Sequence, residues 1–277
     1  MKKIGFIDYY LDEWHSNHLP GWIKAATGGQ MQVCYAWGET ESPREGGQTN
    51  KAWAQEYGAE LLDSIEDVAA RSDYLMVLSP DNPERHEDLC RIPLASGKPV
   101  YVDKTFAVGL DDAKRIVANA VSHHTPFFSC SALRYADEIR GHGPIELIES
   151  RGPGTARTYL IHQVEPIFIM MGKAARVMAA GSAEKPTLVY AYEDGRRAIV
   201  NFYGWDAGFS ANLLLADGSQ KAYTVESDFF AKLTEEIVAF FNTSKPPFHH
   251  DETLAVMAML HAGNQAAANP GTWYPVE

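Results

Sequence analysis

A lysine at the end of a short apolar run and a histidine ahead of an apolar helix are the residues best placed for chemistry in this sequence. Lys104 closes the segment Ser96-Gly97-Lys98-Pro99-Val100-Tyr101-Val102-Asp103-Lys104-Thr105. Gly97 can end a helix and residues 99–102 form a short buried strand. Asp103 and Lys104 then arrive at the strand's carboxyl end, where open α/β sheets bind ligands. On composition alone, a surface turn with a solvated charge pair accounts for the same residues. His162 lies in Thr158-Tyr159-Leu160-Ile161-His162-Gln163-Val164-Glu165, which runs into an apolar stretch ending at Met171-Gly172. A neutral imidazole is a residue type that can accept a proton. A satisfied helix histidine is the plainer alternative. Glu165 follows on the same helical face and is a candidate partner for the imidazole or contact for a substrate.

The elements that position these residues follow from periodicity. Apolar runs at 3–7, 31–37, 74–78, 100–102 and 127–130 alternate with helix-length stretches at 19–26, 51–57, 65–70, 86–95 and 110–121. This βαβ rhythm predicts an α/β domain over residues 1–130, a Rossmann-like doubly wound parallel sheet covered on both faces. Later runs at 145–149, 176–180, 188–192, 198–202, 211–215 and 221–225 lie close together, and Asp194-Gly195 and Asp217-Gly218 separate several of them. Those pairs predict hairpins. With closing helices at 229–242 and 251–267, residues 131–277 are expected to form an α+β domain with an open antiparallel-rich sheet.

Bulk properties narrow the function. The 277 residues are 45% hydrophobic and 22% charged, an ordinary globular composition, with a formal charge of −12. Such acidity argues against a nucleic-acid partner, which needs a basic face, and favours a small-molecule substrate. No apolar run reaches the length of a membrane span, and Asp8 interrupts the first apolar run before an export signal could form. Cys34, Cys90 and Cys130 are odd in number and widely spaced, which fits reduced thiols and a cytoplasmic enzyme. The pairs His123-His124 and His249-His250, expected in loops, lack metal-ligand spacing, so no metal site is expected. Trp205, Phe209 and Tyr203 are expected on a sheet face as core or oligomer contacts.

The segment around Lys104 is similar to the Gly-Lys-His/Pro-Val…Glu-Lys-Pro signature of the Gfo/Idh/MocA oxidoreductases, with Asp103 for Glu and Thr105 for Pro. Ser79-Pro80 followed by His86 resembles the family's Thr-Pro…His element, and Arg134-Tyr135 resembles its Arg-Tyr pair. The closing Pro246-Pro247 loop, final helix and Trp273-Tyr274-Pro275-Val276 also follow the family order. His162 matches the end of the family's Asp-x-Gly-x-His signature, with Thr158 for Asp and Leu160 for Gly. The resemblance implies Lys104 and His162 as catalytic groups acting on a sugar or polyol. It implies Arg134, Tyr135, Thr158 and Glu165 as substrate contacts, and Asp8, Tyr9, Tyr10, Trp37, Ser79, Pro80, His86 and Asp103 around NAD or NADP. It also implies a homo-oligomer built through the C-terminal sheet.

Three departures open a second reading. The family's Gly-x-Gly-x-x-Gly after the first strand is replaced by Asp8-Tyr9-Tyr10-Leu11-Asp12-Glu13, which lacks glycine and adds negative charge near a pyrophosphate. The second strand ends Tyr35-Ala36-Trp37-Gly38-Glu39, where Trp37 could stack on adenine and Glu39 could reach a ribose. The segment from Arg134-Tyr135 to His162 is short for the family. The alternative is therefore a relative with lost or altered nicotinamide binding, acting as a non-redox enzyme or a binding subunit. The two readings separate on whether backbone N–H groups of residues 8–14 face the crevice.

Overall fold

A computed structural model describes residues 1–277, which divide into two compact units. The first comprises Met1–Cys130 with Leu233–Thr253, and the second Ser131–Lys232 with Leu254–Glu277. Residues 233–253, which the sequence reading grouped with residues 131–277, cluster with the first unit. Their aromatic side chains explain why: Phe241 stacks on Tyr74 at 4.7 Å and Phe240 meets Phe128 edge-on at 5.1 Å.

The first unit runs β1 (Lys2–Asp8), α1 (Trp14–Ala26), β2 (Met31–Gly38), α2 (Asn50–Tyr57), β3 (Glu60–Leu61), α3 (Ile65–Arg71), β4 (Tyr74–Val77), α4 (His86–Cys90), β5 (Val100–Val102), α5 (Leu110–Ser122) and β6 (Phe127–Phe128). The strands pair in parallel in the order β3-β2-β1-β4-β5-β6. The doubly wound sheet is as expected, with one additional strand, β3, too short to register as an apolar run. β1 and β4 are apolar and buried because helices cover both faces. Two helices differ from expectation. α1 begins at Trp14 rather than Leu19, because Glu13 caps it and Pro20 is tolerated within it. The stretch expected as one helix over 86–95 stops at Cys90, and Pro93 opens a separate 3₁₀ turn.

The second unit continues with β7 (Ile145–Gly152), α6 (Ala156–Tyr159), α7 (Ile161–Met171), β8 (Arg176–Gly181), β9 (Pro186–Ala191), β10 (Arg197–Phe202), β11 (Ser210–Leu215) and β12 (Gln220–Thr224). Helices α8 (Phe229–Thr243) and α9 (His250–Ala268) each contribute residues to both units, and β13 (Tyr274–Pro275) is the last strand. The sheet order is β12-β11-β7-β10-β9-β8-β13. Both expected hairpins are present, β9–β10 and β11–β12. β7 and β10 pair in parallel, so the sheet is mixed though mostly antiparallel. One face alternates buried residues such as Ile148, Leu188, Tyr190 and Val200. Gln163 on α7 locks that helix to the sheet: it accepts from Ser150 Oγ at 2.8 Å and donates to the Asn201 carbonyl at 3.1 Å.

Candidate active site

In the first unit the site residues gather at the carboxyl ends of β1 and β5. Asp8 ends β1 and is 1% exposed. Burial pushes its carboxyl well above the usual range, and the charges of Glu13 and Asp103 push the same way. The Tyr9 and Tyr10 amides offset part of this, yet neither carboxylate oxygen has a partner at hydrogen-bonding geometry.

The turn after Asp8 is pinned by backbone and side-chain bonds rather than by glycine. The Leu11 amide donates to Asn50 Oδ1 at 3.0 Å, and Asn50 Nδ2 donates to the Thr40 carbonyl at 2.8 Å. Gly38 is required beside it, since a Cβ there would stand 2.7 Å from the Asn50 side chain. Glu13 then caps α1 with its own carboxylate: the His15 amide donates at 2.7 Å and the Ser16 amide donates as well. Helix amides normally left for an anion are thus taken by an internal one.

Asp103, expected at a cofactor, holds a histidine. Its carboxylate pairs with His15 Nδ1 and accepts from the Tyr101 hydroxyl at 3.2 Å. Burial alone would raise its pKa, but the charges of His15 and Lys104 bring it down to about 2. Lys104 lies next in sequence and is partly exposed. Tyr10 is turned inward, its hydroxyl donating to Asp81 at 3.2 Å, and burial with the Asp81 charge raises its pKa to about 12. Tyr9 lies beneath the Arg85 guanidinium, 6.0 Å away, and Arg85 grips Glu39 through two bonds of 2.8 and 3.1 Å. Trp37 is half-buried near the end of β2.

The loop after β4 departs from its expected role. His86 is fully buried, its ring nitrogens set against the carbonyls of Leu78 and Phe106, and burial lowers its pKa. It secures the loop and offers no ring nitrogen to a ligand. Ser79 takes a left-handed conformation at φ 69° and its hydroxyl donates to the Asn82 carbonyl. Pro80 beside it is partly exposed.

The second unit builds a separate cluster around His162. Ser131 Oγ lies 2.7 Å from His162 Nδ1, and the Ser131 amide donates to Glu165 Oε2 at 2.6 Å. Arg134 donates to Glu165 Oε1 at 3.3 Å, with side chains only 12% and 3% exposed. Glu165 therefore fixes the 3₁₀ turn Ala132–Tyr135, and through Ser131 fixes the imidazole. Tyr135 closes that turn. Thr158, standing where the family has Asp, is exposed on α6 and bonds Thr155. Tyr159 packs edge-on against His162 at 5.0 Å. Glu13 and Ser131 escaped the sequence reading as positioning groups. The Glu13-x-x-Ser16 spacing was the only local signal, with the acid and hydroxyl positions of a capping box exchanged. His249, His250 and Asp251 bring ligand atoms within 4.8 Å of one another at the start of α9, which His250 opens although it was expected in a loop.

These features test the fit of a dinucleotide. Its pyrophosphate does not fit the β1–α1 turn, where two helix amides are occupied and Asp8, Glu13 and Asp103 supply three buried carboxyls. Asp8→Asn is expected to raise stability at pH 7 by about 1–3 kcal/mol, because it removes the charge that must otherwise be buried or neutralised beside Glu13 and Asp103. An acid whose folded pKa is raised weakens the fold as pH rises through that pKa, so the gain shrinks towards pH 4. Urea unfolding at both values checks this, and a variant no more stable at pH 7 overturns it.

The two-unit fold, a Rossmann-like sheet followed by a large mixed sheet, defines the class of protein. Residues 38–129 match the GFO_IDH_MocA model, described as an oxidoreductase family with an NAD-binding Rossmann fold. No curated protein matches the chain. Among solved structures, GenD2 from gentamicin A biosynthesis, in complex with NAD, has a TM-score of 0.80 at 14% identity over 99% of this chain and 97% of that one. The Lactobacillus casei myo-inositol dehydrogenase, in complex with NAD(H) and myo-inositol, has a TM-score of 0.80 at 12% identity over 100% and 97%. The UDP-N-acetylglucosamine 3-dehydrogenase GnnA of Acidithiobacillus ferrooxidans has 0.77 at 13% over 96% and 97%. The chain thus shares the whole two-unit fold of these dehydrogenases, and over residues 38–129 it matches the Gfo/Idh/MocA family model. No helix is long and apolar enough to cross a membrane.

Proposed function

We propose that the protein is an oxidoreductase acting on a hydroxyl of a sugar, cyclitol or related polyol, with Lys104 and His162 as its acid–base groups and NAD or NADP as redox partner. The observation that carries this reading is the buried Ser131–Glu165–Arg134 arrangement that holds His162 Nδ1. An imidazole fixed this way is prepared to take up a hydroxyl proton, while the Lys104 ammonium lowers the hydroxyl's pKa. Arg134, Tyr135 and Thr158 are the accompanying substrate contacts. The solved neighbours that carry myo-inositol or are described as sugar dehydrogenases support the polyol class. By resemblance to the family, the chain works in the cytoplasm as a homo-oligomer formed through the sheet of its second unit.

A second reading is favoured by Glu13. Its capture of the α1 amides supports a relative with lost or altered nicotinamide binding, working as a lyase, an isomerase or a binding subunit. For this reason no proton or hydride step is assigned through the nicotinamide. Titration with NAD(H) and NADP(H), followed by nicotinamide fluorescence and thermal shift, decides between them, because a ligand that binds only the folded state must stabilise it. Micromolar saturable binding is expected for the redox reading. Absence of binding at millimolar concentration would sink it and leave the non-redox role.

A further inference from the structure

The loop between β10 and β11 raises a tryptophan into solvent beside the His162 cluster. Trp205 is 62% exposed and Tyr203 47% exposed, the largest exposed aromatic pair in the second unit. Neighbouring exposed aromatics of this kind can mark a ligand-binding surface. The position was expected to be core or oligomer contact, yet Trp205 is held from one side only. Tyr159 meets it edge-on at 4.9 Å with the planes at 87°, and the same Tyr159 packs against His162 at 5.0 Å. Phe209 approaches His162 from the other end of the loop at 5.8 Å.

Two glycines fix this aromatic wall. A Cβ at Gly154 would lie 2.7 Å from the Tyr159 ring, and one at Gly152 would lie 2.8 Å from the Phe209 ring. The rings are thus seated on bare backbone at the end of β7. The loop is tied back as well, the Tyr203 amide donating to the Gly152 carbonyl at 2.9 Å and the Ala207 amide to Gly204 at 3.0 Å. A rigid indole set upright by a tyrosine edge presents a flat apolar face with low ordering cost. Such a face suits the C–H side of a six-membered polyol, whose hydroxyls project around its rim. Exposed Asp206 adjoins it as an acceptor for those hydroxyls. The chain's charge of −12 further disfavours an anionic ligand.

We infer that Trp205 is the stacking platform for an uncharged cyclic polyol, a pyranose or a cyclitol, presented to His162 by way of Tyr159. This deepens the functional reading and rests on His162 belonging to the site, but it does not depend on nicotinamide binding. The test is calorimetric titration of the intact protein with myo-inositol and with glucose, in wild type, Trp205→Ala and Trp205→Phe. Saturable binding to at least one polyol is expected, with affinity reduced at least tenfold in Trp205→Ala and restored to within about threefold by Phe, which keeps a flat face. Because the side chain is largely exposed, both variants should keep the wild-type melting midpoint. Equal affinity in wild type and Trp205→Ala, or no saturation by either polyol at 100-fold excess, overturns the platform. So does a change in oligomeric state on removing Trp205 without a change in polyol affinity, which would make the ring a contact with a second copy. Polyol binding without nicotinamide binding would leave the platform standing and remove the redox reading; the reverse result would remove the platform alone.

Discussion

His162→Ala is expected to lower turnover of a polyol by about 10²–10⁴-fold, the contribution of a positioned general base, with little change in the protein's melting midpoint. The imidazole is partly exposed, with the Ser131 hydroxyl and the Tyr159 and Phe209 rings among its contacts, so its removal opens partly to solvent and not into a sealed cavity. Lys104→Ala should fall in the same range if the ammonium steadies a developing alkoxide, because its interaction grows in the transition state and therefore lowers kcat rather than raising KM. Ser131→Ala acts through the imidazole. It should shift the acid limb of the pH profile as well as the rate, a change that loosened packing alone would not produce. Single-turnover measurement of all three variants checks the set. Turnover within threefold of wild type for His162→Ala would place the chemistry elsewhere.

Parts of this arrangement were legible because they depend on local pattern. Val100-Tyr101-Val102 followed by Asp103-Lys104 is a buried strand that must release charged residues at its end, and β5 does so. Asp194-Gly195 and Asp217-Gly218 place two hairpins because few other residues accept those turns. The partners were less legible, since they come from distant sequence. Ser131 reaches His162 across 31 positions and His15 reaches Asp103 across 88. The negative charge after β1 was visible in the sequence, but its arrangement was not. Glu13 proves to be a helix cap and Asp8 a buried acid, a distinction set by burial and not by composition. Residues 233–253 were misplaced because an amphipathic helix declares which face is apolar without declaring which core receives it.

The β1–α1 turn is therefore not a defective glycine loop. Ser16 bonds back to the Leu11 carbonyl, Asp12 accepts from the Asn17 side chain and the Gln48 amide, and Glu13 closes the helix. Restoring glycines there would remove these bonds without freeing the amides, as long as Glu13 remains. Any nucleotide bound by this chain must therefore find its counter-charge outside the first turn of α1.

The largest effect on stability is expected from Arg134→Ala, which should cost about 3–5 kcal/mol because it leaves the Glu165 carboxylate buried without its cation. The pair is shielded, with the Arg134 side chain 12% exposed and Glu165 3%, so the usual discount for a solvated surface pair does not apply. Glu165 would retain the Ser131 amide at 2.6 Å but lose the guanidinium. Changing Glu165 to Gln in the Arg134→Ala background should recover most of the loss, since a neutral amide oxygen still accepts from Ser131 and no charge is stranded. Urea unfolding of the two single variants and the double variant closes the cycle and yields the coupling energy. A loss below about 1 kcal/mol would put the pair in the class of screened surface bridges and remove the argument that Glu165 anchors the turn. A loss of the expected size, repaired by Glu165→Gln, would make the ion pair the element that keeps Ser131 in place. His162 would then owe its orientation to a buried charge in the second unit, as His15 owes its own to Asp103 in the first.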